Sequence, residues 1–208
     1  MIATLSIQTP AGQQQVKIEF AQADDDKGLR KWKAPAKHSR PDLAQDSIEL
    51  AKLAGKRWRY YLRRNEAATS MEELLTKLAA QPNGEIGFIL IARPVGGATP
   101  LTLGIAWCRR TWCNHLVLDF LTVHPALNDP LGGYKGMGSA MFIGIAVVAE
   151  KLGCPLVWGE ATETSCTFYQ KLLGGTPVRD HFFFNHEALA ALRRQLPPPT
   201  KSTSKSKT

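Results

Sequence analysis

The sequence predicts an α+β fold, in which a mixed, mostly antiparallel sheet is flanked by helices and contains one parallel strand pair. Residues 85–125 hold three strand-like runs with short connections between them, which favours an antiparallel meander. An apolar, helix-like segment over 139–153 precedes another strand-like run over 154–161, and a helix that crosses between two strands usually makes them parallel neighbours. The chain has 208 residues and is 44% hydrophobic, which is enough for one substantial core.

The N-terminal region combines a strand pair with helices. Residues 4–9 and 14–21 alternate apolar and polar side chains around a Pro-Ala-Gly turn, which predicts a hairpin. Residues 24–40 lack such a pattern and indicate a loop. From 41 to 64, apolar residues recur at helical intervals, which predicts one long helix or two helices that meet near Gly55.

The remaining elements follow from capping and turn signals. Ser70 and Glu73 have the spacing of a capping box, so a helix begins there, and it ends at the turn signal over 82–84. Residues 197–208 contain Pro, Ser, Thr and Lys with nothing apolar to bury, which predicts a disordered basic tail. After the meander we expect a buried helix over 139–153, a strand over 154–161, a helix over 163–175, a strand over 180–185 and a helix over 187–196.

Composition excludes several classes of protein. No stretch approaches the roughly 18 apolar residues of a membrane span, and the N-terminus lacks the pattern of a signal peptide, so we expect a cytoplasmic protein. The four cysteines form no Cys-x-x-Cys pair and are expected to be reduced. Cys108, Cys113 and His115 have an unusual spacing for metal ligands and lack a fourth partner, so we predict no metal site.

The net charge of +8 is concentrated in one segment. Residues 27–64 contain twelve Lys and Arg but only three Asp and Glu. Within this segment Arg57, Arg59, Arg63 and Arg64 are interleaved with Trp and Tyr, a composition that suits an acidic ligand, nucleic acid or cofactor phosphates. A solvated helix whose arginine stems cover apolar surface explains the same pattern.

Four glycines between 132 and 138 lie just before a predicted helix. The first N–H groups of a helix have no partner within it, and glycine lets the chain close around an anion, so this turn is a candidate phosphate site. It is not a Walker A loop, because Ser139 and Ala140 stand where Lys and Ser or Thr are required. It is not a dinucleotide loop either, because Met141 occupies the position of the third glycine.

Three stretches, 118–125, 133–141 and 168–175, together resemble the GNAT superfamily of acyl-CoA-dependent N-acyltransferases. The resemblance covers about 115–185, and the order of strands and helices over 86–185 agrees with the fold of that family. The family's loop begins with Arg or Gln, whereas this chain has Gly133 at that position.

The resemblance implies a binding site for acetyl-CoA. The strand end Leu121, Thr122 and Val123 would separate from its parallel neighbour, pair with the pantetheine arm and polarise the thioester carbonyl. The pyrophosphate would be held by the following loop and helix start, which comprise Lys135, Gly136, Met137, Gly138, Ser139 and Ala140.

Catalytic candidates follow from the same resemblance and from the chemistry of the reaction. Tyr169 matches the family's tyrosine that protonates the leaving thiolate, although a packed aromatic ring is the alternative. The acceptor amine must lose a proton, and Asp119 and Glu160 are candidate bases on the two strands that flank the predicted cleft. By alternation, Asp119 is expected on the same face as Leu121, and His124 is a third candidate base near the strand end.

These observations predict one N-acetyltransferase domain over 1–196, with an acceptor side in 1–84 and an acyl-CoA-binding core in 85–185. It would transfer an acetyl group from acetyl-CoA to a primary amine of a small molecule or peptide by direct attack in a ternary complex, with Cys166 structural. The basic segment favours an anionic amine over a polyamine. The alternative is a catalytically silent module of this fold that binds nucleic acid or a ribosomal partner through 27–64, and a homodimer is left open.

Overall fold

The computed structural model describes residues 1–96 and 101–196, whose strands form one seven-stranded sheet in chain order. All neighbouring strands are antiparallel except the fifth and sixth, which are parallel. This arrangement confirms the predicted fold class, while the predicted tail over 197–208 lies outside the described residues. The strands are β1 (Ala3–Thr9), β2 (Gly12–Phe20), β3 (Ile86–Pro94), β4 (Gly104–Arg110), β5 (Leu116–Val123), β6 (Leu156–Glu160) and β7 (His181–Asn185). The α-helices are α1 (Asp26–Leu29), α2 (Pro41–Arg63), α3 (Met71–Ala80), α4 (Met137–Lys151), α5 (Glu163–Leu172) and α6 (His186–Arg193).

The sheet has an α4 face and an α2 face, each named for the helix packed on it. Helix α4 is buried over nearly all of its length, as its apolar sequence predicts, and its Phe142 packs against Phe184 of β7 with ring centroids 4.3 Å apart. On the opposite face, Trp58 of α2 meets Trp107 of β4 edge-on at 6.2 Å. Strand β3, covered on both faces, is buried from Ile86 to Ala92.

Helix α2 is continuous through Gly55. A Cβ atom at Gly55 would lie 3.6 Å from Cβ of Asp26, so the glycine lets α1 pack closely against α2. The expectation of a loop over 24–40 is wrong in part, because residues 23–29 form a 3-10 turn followed by α1. Asp26 is buried there and forms ion pairs with Arg30 and Arg59, which explains why this acidic stretch is ordered.

Helix α3 begins where the sequence predicts, but the Glu73 side chain has a different hydrogen-bond partner from the one expected. The Ser70 hydroxyl accepts a hydrogen bond from the Glu73 N–H at 3.0 Å, as a capping box requires. The Glu73 carboxylate accepts from the N–H and hydroxyl of Thr69, one residue before the expected partner.

Strands β5 and β6 are parallel neighbours over two residue pairs only, Leu116 with Val157 and Val117 with Trp158. Beyond these pairs β6 leaves β5, whereas β4 stays paired with β5 as far as Val123. The β5 backbone groups that face β6 are therefore open at the end of the strand, as the resemblance implied.

A β-bulge interrupts the alternation of β5. Cys108 of β4 pairs with Leu118 and Trp107 pairs with Phe120, so Asp119 has no opposing residue. Phe120 packs with the α2-face cluster and Leu121 with the α4-face cluster, so Asp119 and Leu121 lie on opposite faces. The expectation that they share a face is wrong because simple alternation cannot anticipate a bulge.

Gly159 sits where β6 begins to leave β5, and we expect Gly159→Ala to destabilise the fold by about 2 kcal/mol or more. An added Cβ would lie 2.4 Å from the Leu118 carbonyl oxygen and 2.7 Å from the Phe182 ring, so β6 would have to move. Urea unfolding followed by far-UV circular dichroism measures the change.

The matched control is Gly28→Ala in α1, where an added Cβ meets nothing within 4 Å. It should leave stability unchanged or raise it slightly, because alanine favours the helix. Equal effects of the two substitutions would contradict the close approach at Gly159.

Candidate functional site

The start of α4 presents a row of unused hydrogen-bond donors. Gly136, at the N-cap, has φ +91°, and the first helical bond runs from the Ala140 N–H to the Gly136 carbonyl at 2.8 Å. The N–H groups of Gly136, Met137, Gly138 and Ser139 have no acceptor among residues 1–96 and 101–196. Four consecutive donors at the positive end of a helix dipole form a cradle for an anion.

Lys135 and Ala140, at the two ends of the predicted phosphate-binding segment, use their backbone N–H groups in hydrogen bonds within the protein. The Lys135 N–H donates to the Gln8 carbonyl at 3.0 Å, so Lys135 can contribute only its exposed ammonium group to a bound anion. The Ala140 N–H is used within the helix, and its side chain is buried. Sequence alone could not separate these two residues from the four between them, because the Gln8 contact joins distant parts of the chain.

Gly133, the departure from the family's loop, has φ +73°, and a Cβ there would lie 3.4 Å from Pro10. A left-handed backbone this close to the β1–β2 turn favours glycine over the Arg or Gln of the family. The substitution is therefore explained by the backbone conformation of this chain.

A cavity of about 340 Å³ lies beside the cradle. Gly138 and Phe168 meet at its wall, where a Cβ on Gly138 would lie 3.0 Å from the Phe168 ring. The strand end and the helix start that were predicted to bind a cofactor are thus brought together. The cavity is lined by Leu121, Thr122, Val123, Asn128, Gly136, Gly138, Ser139 and Phe168.

A second cavity, of about 520 Å³, lies on the α2 side and adjoins the first. Leu121, Thr122 and Asn128 line both cavities, so the two meet at the free end of β5. Helix α2 and the start of α5 supply the other walls. These walls comprise Leu43, Asp46, Ser47, Glu49, Leu50, Leu53, Thr162, Thr164 and Ser165.

A buried polar network lies where the cavities meet. Thr122 Oγ1 donates to Ser47 Oγ at 3.1 Å, and Asn128 Nδ2 donates to the same oxygen at 2.6 Å. His38 Nε2 holds the Asn128 side-chain oxygen at 2.9 Å, which fixes the orientation of the amide. Sequence reasoning missed Ser47 and Asn128, because only the fold brings α2 next to the end of β5.

Asp119 is committed to ion pairs. Its two carboxylate oxygens accept from Arg109 Nε at 2.6 Å and Nη2 at 2.9 Å, and Arg57 approaches at 3.6 Å. The hydrogen bonds to Asp119 raise the pKa of Arg109 above its usual value. Both oxygens of the Asp119 carboxylate are occupied by arginine donors, so this geometry favours a structural role for Asp119 over the predicted role as a base.

Glu160 is exposed at the end of β6, on the α2 side with Trp158. Its carboxylate has no hydrogen bond or ion pair among the described residues, and it lines neither cavity. Its role as a base stays a prediction.

Tyr169 is 6% exposed and belongs to the core. Its ring stacks on Phe182 with centroids 3.8 Å apart, and its neighbour Phe168 occupies the cavity wall instead. Burial raises the pKa of the Tyr169 phenol, which weakens it as a proton donor. The geometry favours the packed-ring alternative, while the predicted role as an acid stays a prediction.

His124 caps the 3-10 turn over residues 125–127. Its Nδ1 accepts the Ala126 N–H at 3.2 Å, which leaves the proton on Nε2, and burial lowers its pKa. In this arrangement neither ring nitrogen is free to accept a proton. Cys166 donates its thiol to the Arg179 carbonyl, in agreement with a structural role.

Much of the basic segment 27–64 is neutralised within the fold. Arg57 pairs with Asp119, Arg59 with Asp26 and Arg64 with Glu66. These arginines, three of the four singled out in the sequence, have acidic partners within the fold but stay partly exposed, so the nucleic-acid alternative stays a prediction.

Residues 1–96 and 101–196 contain neither a membrane-spanning helix nor a cluster of metal-ligating side chains. No helix in this part of the chain is long and apolar enough to cross a membrane. No group of three or more His, Cys, Asp or Glu side chains in it could hold a metal ion.

The sequence matches no protein-family model and no curated protein. Among solved structures, a GNAT-family acetyltransferase from Staphylococcus aureus is similar over 82% of this chain and 98% of its own, with 10% identity and a TM-score of 0.49. A Bacillus anthracis protein assigned as a streptothricin acetyltransferase, in complex with acetyl coenzyme A, is similar over 48% of this chain and 62% of its own, with 17% identity and a TM-score of 0.36.

A nourseothricin acetyltransferase is similar over 41% of this chain, with 17% identity and a TM-score of 0.34. The similar region spans only 48% of that enzyme. At this level of similarity, these proteins do not define a function for the chain.

The anion cradle predicts a specific effect of Gly136→Ala. Alanine at φ +91° is strained, so we expect a stability loss of about 1 kcal/mol and, because the donors shift, about tenfold weaker binding of coenzyme A. Calorimetric titration and urea unfolding measure the two effects.

Gly175→Ala is the matched control, because Gly175 has φ +97° and open space around it, away from both cavities. It should cost similar stability and leave coenzyme A binding unchanged. Equal losses of affinity in both variants would show that the effect of Gly136→Ala is global rather than local.

Proposed function

We propose that this protein is an acyl-CoA-dependent N-acyltransferase that moves an acetyl group from acetyl-CoA to a primary amine. The observation that carries the proposal is the junction of the two cavities at Leu121, Thr122 and Asn128, beside the open end of β5. A donor in one cavity and an acceptor in the other would meet at this junction. Both can be present together, which supports direct attack in a ternary complex.

The smaller cavity has the features that acetyl-CoA requires. Four unpartnered N–H groups, from Gly136 to Ser139, suit the pyrophosphate, and the Lys135 ammonium adds a positive charge. The open backbone edge of β5 from Leu121 to Val123 suits the amide groups of the pantetheine arm. Acetyl-CoA supplies an activated acyl group as a thioester.

The open end of β5 also suits the transition state. A fixed backbone N–H pointing into the cleft can stabilise negative charge on the carbonyl oxygen as the amine attacks, because the donor is already oriented. The bulge at Asp119 turns this part of the strand, and the Arg109 and Arg57 contacts to Asp119 hold the bulge in place. Asp119 is then a positioning residue for the strand.

The acceptor amine is protonated in water at neutral pH and must lose a proton before it attacks. Of the two predicted bases, Glu160 is the carboxylate without ion pairs, and it can take that proton through water. Residues 1–84 supply the α2 wall of the acceptor cavity, and 85–185 supply the acetyl-CoA side, within one domain over 1–196.

Two assays test the proposed function. Calorimetry with the purified chain should show binding of coenzyme A and acetyl-CoA, and incubation with acetyl-CoA and a set of primary amines should release thiol and give an acetylated amine by mass spectrometry. A chain that binds neither cofactor form contradicts the proposal. Salt-sensitive RNA binding without cofactor binding would favour the silent module instead.

The variants Glu160→Gln and Tyr169→Phe test which of these two residues takes part in catalysis. We expect Glu160→Gln to lower kcat by about 100-fold and to remove the dependence of the rate on the ionisation of a carboxylate. Tyr169→Phe keeps the stacked ring and should retain kcat within about threefold, since the ring contributes packing.

The measurement is a pH–rate profile of thiol release for the wild-type chain and both variants. Glu163→Gln, an exposed acid in the first turn of α5, controls for a change in surface charge. A loss of about 100-fold in Tyr169→Phe would restore the predicted role of that phenol as an acid.

A further inference from the structure

We propose that the larger cavity is a site for an amine that carries a second cationic group, as short aliphatic diamines do. This inference rests on the proposed function and names the substrate class of its acceptor site. It replaces the expectation of an anionic acceptor, which was drawn from the basic composition of residues 27–64.

The ionisable groups that line the cavity are acidic. Asp46 and Glu49 stand one turn apart on α2, both exposed at the rim, and no Lys, Arg or His among the described residues lines the space. A chain with a net charge of +8 therefore offers a negative site here. A cation that enters gains attraction from two carboxylates without meeting a lining group of its own sign.

None of the five basic residues of α2 lines the larger cavity, and two of them form ion pairs elsewhere. Arg57 contacts Asp119, and Arg59 contacts Asp26 beneath α1. The net charge of helix α2 is therefore positive, whereas the side of the helix that borders the cavity is negatively charged.

An aliphatic chain fits the space between the rim and the junction. Leu43, Leu50 and Leu53 of α2 line the cavity on the same side of the helix as Asp46. Methylene groups of a diamine would be removed from water against these leucines, which an amino acid or a sugar amine would use less well.

The junction itself has an unused hydroxyl hydrogen. Ser47 is 3% exposed and Thr122 7%, and Ser47 Oγ already accepts from Thr122 and Asn128. The hydrogen of Ser47 therefore has no acceptor among the described residues, and if the two hydroxyls exchange roles, the hydrogen of Thr122 is left over instead.

A buried donor without an acceptor marks a place for a ligand or water. The same hydroxyl pair also has lone pairs free to accept an N–H of the reacting amine. Thr122 lines both cavities, so an amine held there lies next to the cofactor cavity while its distal ammonium reaches the rim.

Three acceptors with the same four-carbon chain test the role of the distal group. Putrescine carries an ammonium group on the fourth carbon, butylamine carries only hydrogen there, and in γ-aminobutyrate the fourth carbon is a carboxylate. We expect kcat/KM for putrescine to exceed that for butylamine by about tenfold, mainly through KM, since each exposed ion pair is worth up to about a factor of five. γ-Aminobutyrate should be the poorest of the three.

The double variant Asp46→Asn with Glu49→Gln should abolish the preference for putrescine over butylamine, because it removes both carboxylates that attract the distal ammonium. Both side chains are exposed, so folding should be preserved, and thermal unfolding checks this. Glu72→Gln on the exposed side of α3 removes a remote acidic charge and should keep the preference. Equal kcat/KM for putrescine and butylamine in the wild-type chain, or an unchanged preference in the double variant, overturns the inference.

Direct binding separates this inference from the proposed function. Calorimetric titration of the chain with putrescine, without coenzyme A, should show binding that the double variant loses and Glu72→Gln keeps. If coenzyme A does not bind but putrescine does, the proposed function fails and the cationic site stands. If acetyl transfer occurs to butylamine and γ-aminobutyrate as readily as to putrescine, the function stands and the inference fails.

Discussion

Strand β5 has to pair with β4 along its length and yet leave β6 after two residue pairs, and both cavities depend on this divergence. Gly159 allows the close approach to Leu118 directly after the last β5–β6 pair, and the bulge at Asp119 turns the strand just beyond it. The result is an open backbone edge where the two cavities meet. A fully paired β5–β6 ladder would bury the same backbone groups and close the passage.

The charge on a given surface of the folded protein cannot be read from the amino-acid composition of the segment that forms it. Several arginines of the basic segment form ion pairs with Asp26, Asp119 and Glu66, so part of the positive charge of this segment is balanced by acidic groups of the same chain. On the same helix, the three-residue spacing of Asp46 and Glu49 places both carboxylates at one cavity rim. The charge at the cavity is therefore set by which helix face borders it rather than by the net charge of the segment.

Two adjacent aromatic residues of α5, Phe168 and Tyr169, lie in different environments. Phe168 and Tyr169 are adjacent in a short helix, so they point in directions about 100° apart, and only one of them can face the cavity while the other packs. Here Phe168 faces the cavity at Gly138, and Tyr169 stacks on Phe182 in the core. Asp119 is likewise an acid within an apolar strand, and its two arginine partners come from β4 and α2.

The sequence by itself determined the order of elements apart from α1, and also the meander, the parallel pair and the glycine turn before α4, because periodicity, caps and glycine spacing are local properties. Only the structure shows that residues 41–63 form one helix rather than two, because Gly55 is required by the close contact with Asp26 and does not break the helix. Only the tertiary structure decided which N–H groups of the turn are free, which face of β5 each residue occupies, and which side chains line the acceptor cavity. Each of those depends on a contact between residues far apart in the chain: Gln8 with Lys135, Asp119 with Arg57, and Ser47 with Thr122.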